Sequence, residues 1–189
     1  DGSDGSSPTE RVRIDSNGSI LTATLGTDNV HLGEGAGASI ASGGNNNVAI
    51  GKDAGTALTT GDDNVGIGNS AGANINTGHK NIAIGFESLA SATTNDANVA
   101  IGYHAARSAT AVDASNNVAI GAYAGEFLDT NNNVAVGYES LHGSTTSTDN
   151  TGLHNTAVGY RSMTAFTTGS YNTVVGADAG LAMTTAQQS

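Results

Sequence analysis

The pentapeptide Asn47-Val48-Ala49-Ile50-Gly51 decides the fold, because it returns with small variations nine times along the chain. Successive copies are usually 17 residues apart. A period of this size is typical of a solenoid in which each repeat forms one coil. The sequence therefore predicts an all-β parallel β-solenoid (a β-roll or β-helix) of about nine coils over residues 29–189, preceded by an N-terminal entry segment at residues 1–28. The copies begin at Asn29, Asn47, Asn64, Asn81, Asn98, Asn117, Asn133, Asn155 and Asn172.

We number the positions of each coil from its leading Asn. Positions 2 and 4 are aliphatic in nearly every copy and share one face of a strand, so we expect that face to fill the coil. Position 3 is small, as at Ala49, Gly66 and Ala83, and we expect it to face outward against a neighbouring chain. The Gly at position 5 suits a tight corner. The leading Asn residues should form a ladder with a repeat of ~4.8 Å.

The predicted core is thin, because each coil holds only two or three aliphatic side chains. Lateral association would stabilise such a rod by covering one of its faces, and a closed ring of identical chains is a common arrangement. We therefore predict a homotrimer.

Composition limits the function classes. The net charge is −11 with six Lys and Arg residues in 189, which argues against nucleic-acid binding. Cysteine is absent, which excludes disulfides and thiolate metal sites. No apolar run approaches the ~20 residues of a membrane span, so we expect no membrane insertion.

Two stretches carry a resemblance to a known family. The segment Thr9-Glu10-Arg11-Val12-Arg13-Ile14-Asp15-Ser16-Asn17-Gly18 resembles one that is frequent in bacteriophage tail fibre proteins, ahead of an endosialidase-type intramolecular chaperone. The repeat Asn155-Thr156-Ala157-Val158-Gly159-Tyr160 resembles their repeat arrays. In that family the chaperone is often released after a Ser, which the end at Gln187-Gln188-Ser189 would fit. The pentapeptide is also similar to repeats in the heads of trimeric autotransporter adhesins, whose usual spacing is shorter.

Candidate ligand-binding residues follow the Gly corner. Aromatic rings beside polar groups can stack on sugars, or they can pack against the next coil. Two further candidates, His142 and His154, flank the longest insertion, residues 141–154, which is a possible recognition loop. We predict no catalytic group, metal or cofactor. The candidates after the corner are Phe86, Tyr103, His104, Tyr138, Glu139, Tyr160 and Arg161.

These patterns and the resemblance favour a non-enzymatic fibre segment of a virion tail, hence extracellular. It would be either a structural shaft that holds a receptor-binding tip at a distance or a segment that itself contacts a host surface polysaccharide or protein receptor. One alternative is a bacterial trimeric adhesin head that binds host matrix or surface material. Another is an ice-binding solenoid, although paired threonines such as Thr59-Thr60 do not share one strand face. A glycan-cleaving enzyme would need paired carboxylates, and the sequence shows none in matching register.

Overall fold

A nine-stranded parallel sheet runs the length of the molecule and winds through about eight turns of ~17 residues, which confirms the predicted β-solenoid. The structure, a computed structural model, describes residues 12–14, 20–22, 26–109, 114–146 and 149–185. These residues contain no helix that is long and apolar enough to cross a membrane. The strands of the sheet are β3 (Val30–Leu32), β4 (Val48–Ile50), β5 (Val65–Ile67), β6 (Ile82–Ile84), β7 (Val99–Ile101), β8 (Val118–Ile120), β9 (Val134–Val136), β10 (Thr156–Val158) and β11 (Thr173–Val175).

Before the solenoid, β1 (Val12–Ile14) and β2 (Ile20–Thr22) pair antiparallel in a separate sheet. Most of the predicted entry segment, residues 1–28, lies outside the described residues, as do the last four residues of the chain.

The prediction for the two strand faces was wrong. Position 3 points into the coil, where Ala83 and Ala100 are fully buried, whereas the flanking Val and Ile side chains at positions 2 and 4 point outward and are half-buried or exposed. Alternation along a strand shows which side chains share a face, but not which face is inside. The small residues lie inside because the side chains at positions 8 and 12 of the opposite wall leave little room beside the sheet in the central coils.

The opposite wall supplies the larger core side chains. Position 12 contributes Leu58, Ile75 and Leu128, and position 8 contributes a buried Ala or Ser in each central coil. The position 12 side chains are the main filling of the core. Each Ala methyl of the sheet packs against these side chains, so the core is a narrow stack.

Position 9 in this wall has a positive φ in every coil. Most coils use Gly there, but Leu89 (φ 49°) and Leu141 (φ 46°) take the same conformation and are fully buried. A left-handed conformation costs an L-residue roughly 1–2 kcal/mol. Burial of a Leu side chain stabilises the folded state by about 1.5–3 kcal/mol. The burial term is the larger, so a strained Leu is tolerated where it fills the core.

The predicted Asn ladder is present and buried. In each central coil, one Asn Oδ1 accepts the backbone N–H of the next Asn, as between Asn81 and Asn98 at 3.0 Å. The Asn81 Nδ2 donates to the Asn95 carbonyl oxygen at 2.7 Å. These bonds satisfy buried backbone groups where the chain enters each strand, which is the structural role expected from the sequence.

A second polar ladder, not predicted from the sequence, lies two residues before most of the leading Asn residues. Here a side chain of one coil accepts the backbone N–H of the preceding coil, as when the His79 N–H donates to Asp96 Oδ1 at 2.7 Å. The Asp62 N–H donates in turn to His79 Nδ1 at 3.0 Å. The residue types vary too much (Asn, Asp, His, Ser) for the column to be visible as a repeat. Any short acceptor serves, because the backbone supplies the donor.

His31 occupies position 3 of the first coil, where the central coils have Ala or Gly. Its ring packs so closely on Gly37 that a Cβ added to Gly37 would lie 2.6 Å from His31 Nε2. The His31 Nε2 atom is buried without a hydrogen-bond partner in the described structure. Desolvation by burial lowers the pKa of His31 from its ordinary value of 6.5, because burial disfavours the charged imidazolium.

This lowered pKa predicts that acid weakens the first coil. The unfolded chain takes up the proton more readily than the folded chain, so stability is present above pH ~6.5 and is lost as the pH falls below it. Hydrogen exchange of the backbone amides of β3 should therefore accelerate between pH 7 and pH 5, after correction for intrinsic exchange. The His31→Ala variant should show a flatter pH dependence, and an unchanged dependence would contradict the assignment.

Candidate functional site

Aromatic side chains form a continuous ladder along the edge of the sheet that follows the Gly corner. We define the ladder as Phe86, Tyr103, Tyr123, Tyr138 and Tyr160. Phe86 and Tyr103 stack with ring centroids 5.4 Å apart, and Tyr138 and Tyr160 stack at 5.5 Å. In the middle, the Tyr123 ring makes edge contacts with Tyr103 at 5.2 Å and with Tyr138 at 5.9 Å.

The ladder follows from the register of the coils. Position 6 carries the ring in four coils, and successive coils lie ~4.8 Å apart, which is close to the stacking distance of aromatic rings. In the coil between Tyr103 and Tyr138, position 6 is Ala122, and the ring comes from position 7 instead, at Tyr123 with a φ of 58°. Tyr123 was not predicted as a site residue, because it lies one position after the aromatic column of the repeat.

The rings of the ladder pack mainly on one another. They pack against neighbouring coils, and interior members of the ladder have their faces against other rings. Their edges and hydroxyl groups remain accessible, since Tyr103, Tyr138 and Phe86 are each 40–44% exposed. A ligand would therefore meet ring edges along most of the ladder.

A polar cluster lies beside the ladder and is centred on the carboxylate of Glu126, whose side chain is only 7% exposed. Arg107 Nε donates to Glu126 Oε1 at 2.9 Å. His142 Nε2 lies 3.1 Å from Glu126 Oε2, and His104 Nδ1 lies 3.4 Å from Oε1. Three nitrogen partners compensate the desolvation of this carboxylate, as a buried charge requires.

His104 connects the cluster to the ladder. Its imidazole stacks on Tyr103 with centroids 4.0 Å apart, and its Nε2 lies 3.1 Å from Glu87 Oε2 without the alignment of a hydrogen bond. Glu87 and Glu126 thus contact opposite nitrogens of one imidazole. Because the imidazole of His104 occupies the space between the two carboxylates, a sugar cannot enter there. The cluster therefore supports the aromatic ladder and does not surround a glycosidic bond.

Further along the ladder, Glu139 accepts a hydrogen bond from the Tyr138 hydroxyl, and this bond is the main cause that raises the pKa of Tyr138. Arg161 Nε lies 3.5 Å from Glu139 Oε2. Partial desolvation, followed by the proximity of Tyr103, raises the pKa of Tyr123. Both shifts favour the neutral phenol, which can donate a hydrogen bond from the exposed edge.

The structure brings together all but one of the candidate residues. His154 lies at the opposite edge of the sheet, before the strands, where it stacks on Tyr171 at 4.9 Å. His142 joins the cluster through Glu126, although the sequence analysis had paired it with His154 across the insertion. The insertion folds back through Asn150, which is fully buried and donates to the Phe127 carbonyl oxygen at 2.7 Å.

Glu87, Arg107 and Glu126 were not among the predicted site residues. Arg107 and Glu126 occupy position 10, which is otherwise Thr, Ala or Leu in most coils. The charged residues at this position could therefore have identified the cluster from the sequence. Within the described part of the chain, no three His, Asp or Glu side chains are arranged to hold a metal ion. No family model, curated protein or solved structure matches the chain.

Proposed function

We propose that the chain is an adhesive rod of an extracellular fibre, of the kind found in phage tail fibres, in which three copies associate laterally and present the aromatic ladder to host surface glycans. The observation that carries the proposal is the outward face of the sheet. Positions 2 and 4 provide 18 side chains on this face, of which 16 are aliphatic and two are Thr. We call this surface the aliphatic strip.

The aliphatic strip is unusual for an isolated chain. It is uncharged over all nine strands, and it reaches 52% exposure at Leu32 and 68% at Val175. Extended apolar surfaces of this kind mark interfaces. The rest of the surface is mainly Asn, Ser, Thr and Gly, so the strip is the face that gains most from being covered.

A ring of parallel copies around a common axis would cover each strip along its whole length. This arrangement corrects the interface expected from the sequence, which used the position 3 alanines that the structure buries within each coil. It also leaves the fibre outside polar and hydrogen-bonding, as adhesion to hydrated glycans requires. Stiffness follows from the backbone hydrogen bonds that join every coil to the next.

Charges placed in the strip should separate the chains. We expect the double variant Ile84→Lys with Ile101→Lys to sediment as a monomer or to unfold, because two unpaired ammonium groups would be buried in the interface. The matched control is Thr60→Lys with Thr77→Lys, which adds the same charges on exposed sites in adjacent coils and should leave the assembly intact. Retention of the assembly by the Ile84 and Ile101 variant would refute the proposed interface.

A further inference from the structure

The aromatic ladder ends at Tyr160, and the residue in register one coil beyond is Ala177. β10 and β11 pair with Val158 opposite Val175, and the Asp178 N–H donates to the Tyr160 carbonyl oxygen at 2.8 Å. This pairing places Ala177 next to Tyr160 along the rod. Tyr160 is 50% exposed, more than any other ring of the ladder.

The two faces of the Tyr160 ring therefore differ. One face stacks on Tyr138 at 5.5 Å with the planes 12° apart. On the other side, among the residues that the structure describes, the next coil has Ala177 in register, which offers only a methyl group and is itself exposed. At the opposite end of the ladder, the coil before Phe86 carries the longer amide side chain of Asn69 in the same position. Tyr160 is thus the member of the ladder with an open ring face.

We infer that this open face of Tyr160 is a subsite for one pyranose ring of a neutral glycan, an inference that rests on the proposed adhesive function and names where and what the rod binds. An aromatic face is negative and attracts the partly positive C–H face of a sugar. Tyr138 already holds the Tyr160 ring in place, so binding costs little side-chain entropy. Ala177 leaves room beside the ring for the ligand.

The polar groups near Tyr160 define the class of sugar. Arg161 lies next in sequence to the ring, and its buried Nε is 3.5 Å from Glu139 Oε2 without the alignment of a hydrogen bond. Its guanidinium is already paired with Glu139, and Asp178 adds an exposed carboxylate in the adjoining coil. The local charge is negative, as is the net charge of −11, so acidic sugars are repelled. Neutral hexoses and N-acetylhexosamines, which offer hydroxyl and amide groups, fit this surface.

The test uses the full chain on an array of neutral oligosaccharides together with sialylated and uronate-containing ones. The best neutral oligosaccharide is then titrated against variants by calorimetry. Ala177→Tyr adds a ring to the ladder and covers the open face, so we expect at least about tenfold weaker binding. Ala177→Ser keeps the face open and should bind within about twofold of the parent chain.

A second pair of variants distinguishes loss of the subsite from misfolding of Ala177→Tyr. Tyr160→Leu removes the aromatic face and should weaken binding to the same extent, whereas Tyr160→Phe keeps the ring and should retain most of it. Neutral binding that survives both Ala177→Tyr and Tyr160→Leu would overturn the subsite and leave the adhesive function standing. Binding only to acidic oligosaccharides would overturn the sugar class. A parent chain that binds no glycan would overturn both the subsite and the proposed glycan contact.

Discussion

Gly85→Ala is expected to destabilise the solenoid by at least about 3 kcal/mol, because the substitution adds a backbone clash to a forbidden conformation. Gly85 has a φ of 129°, and a Cβ on it would lie 2.4 Å from the Gly102 carbonyl oxygen. That oxygen belongs to the backbone of the next coil, which is held in register by the sheet. Neither chain segment can move aside without breaking strand pairs.

The matched control is Gly66→Ala, the same chemical change one coil earlier. Gly66 lies at position 3, where six other coils have Ala, and its φ is outside the left-handed region. Its added Cβ would lie 3.0 Å from the Ala71 carbonyl oxygen, so a shift of a few tenths of an ångström suffices. We expect a change within about 1 kcal/mol. Urea unfolding followed by circular dichroism measures both variants, and equal effects would show that the corner does not need Gly.

The second large effect is expected from Asn81→Asp, which keeps the shape of a buried ladder residue and removes its donors. Asn81 is fully buried, and its Nδ2 donates to Asn64 Oδ1 at 3.1 Å and to the Asn95 carbonyl oxygen at 2.7 Å. A carboxylate would face these two oxygens without a donor. We expect a loss of at least about 3 kcal/mol at pH 8, since an uncompensated buried charge costs roughly this much.

The pH dependence of Asn81→Asp separates this mechanism from a general packing defect. Burial and the facing oxygens should raise the pKa of the introduced carboxyl above its unfolded value. The raised pKa makes the variant most stable below the unfolded pKa and progressively less stable as the pH rises through the folded pKa. Asn69→Asp, on an exposed Asn of the preceding coil, should change stability by less than about 0.5 kcal/mol. A defect in Asn81→Asp that is the same at pH 4 and pH 8 would argue against the ladder mechanism.

Much of the scaffold could be predicted from the sequence, because the features that define it recur. Asn and Gly each satisfy a backbone requirement that returns in every coil, so their columns specified the strands, the parallel register and the corner. Which face of the sheet points into the coil could not be predicted from these columns. It depends on the distance between the sheet and the opposite wall of the coil. That wall contains residues with a positive φ, such as Leu89 and Leu141, and the intrinsic propensity of Leu does not predict this conformation.

The candidate site was less predictable, because it consists of departures from the repeat. The ring at Tyr123 comes from a different position than its neighbours, and His104 at position 7 joins Arg107, Glu126 and His142, which share position 10 in successive coils. His142 and His154 are close in sequence but lie at different edges of the sheet, since one follows the corner and the other precedes a strand. Such groupings depend on the path of each coil, which a linear pattern does not contain.

We propose the aliphatic strip as an interface between copies of this chain. Sedimentation equilibrium of the unmodified chain at neutral pH tests it most directly, because the mass of one chain is 18.6 kDa. We expect a single species with three times that mass over a wide range of protein concentration. A folded monomer of 18.6 kDa, with the strip exposed to water, would contradict it.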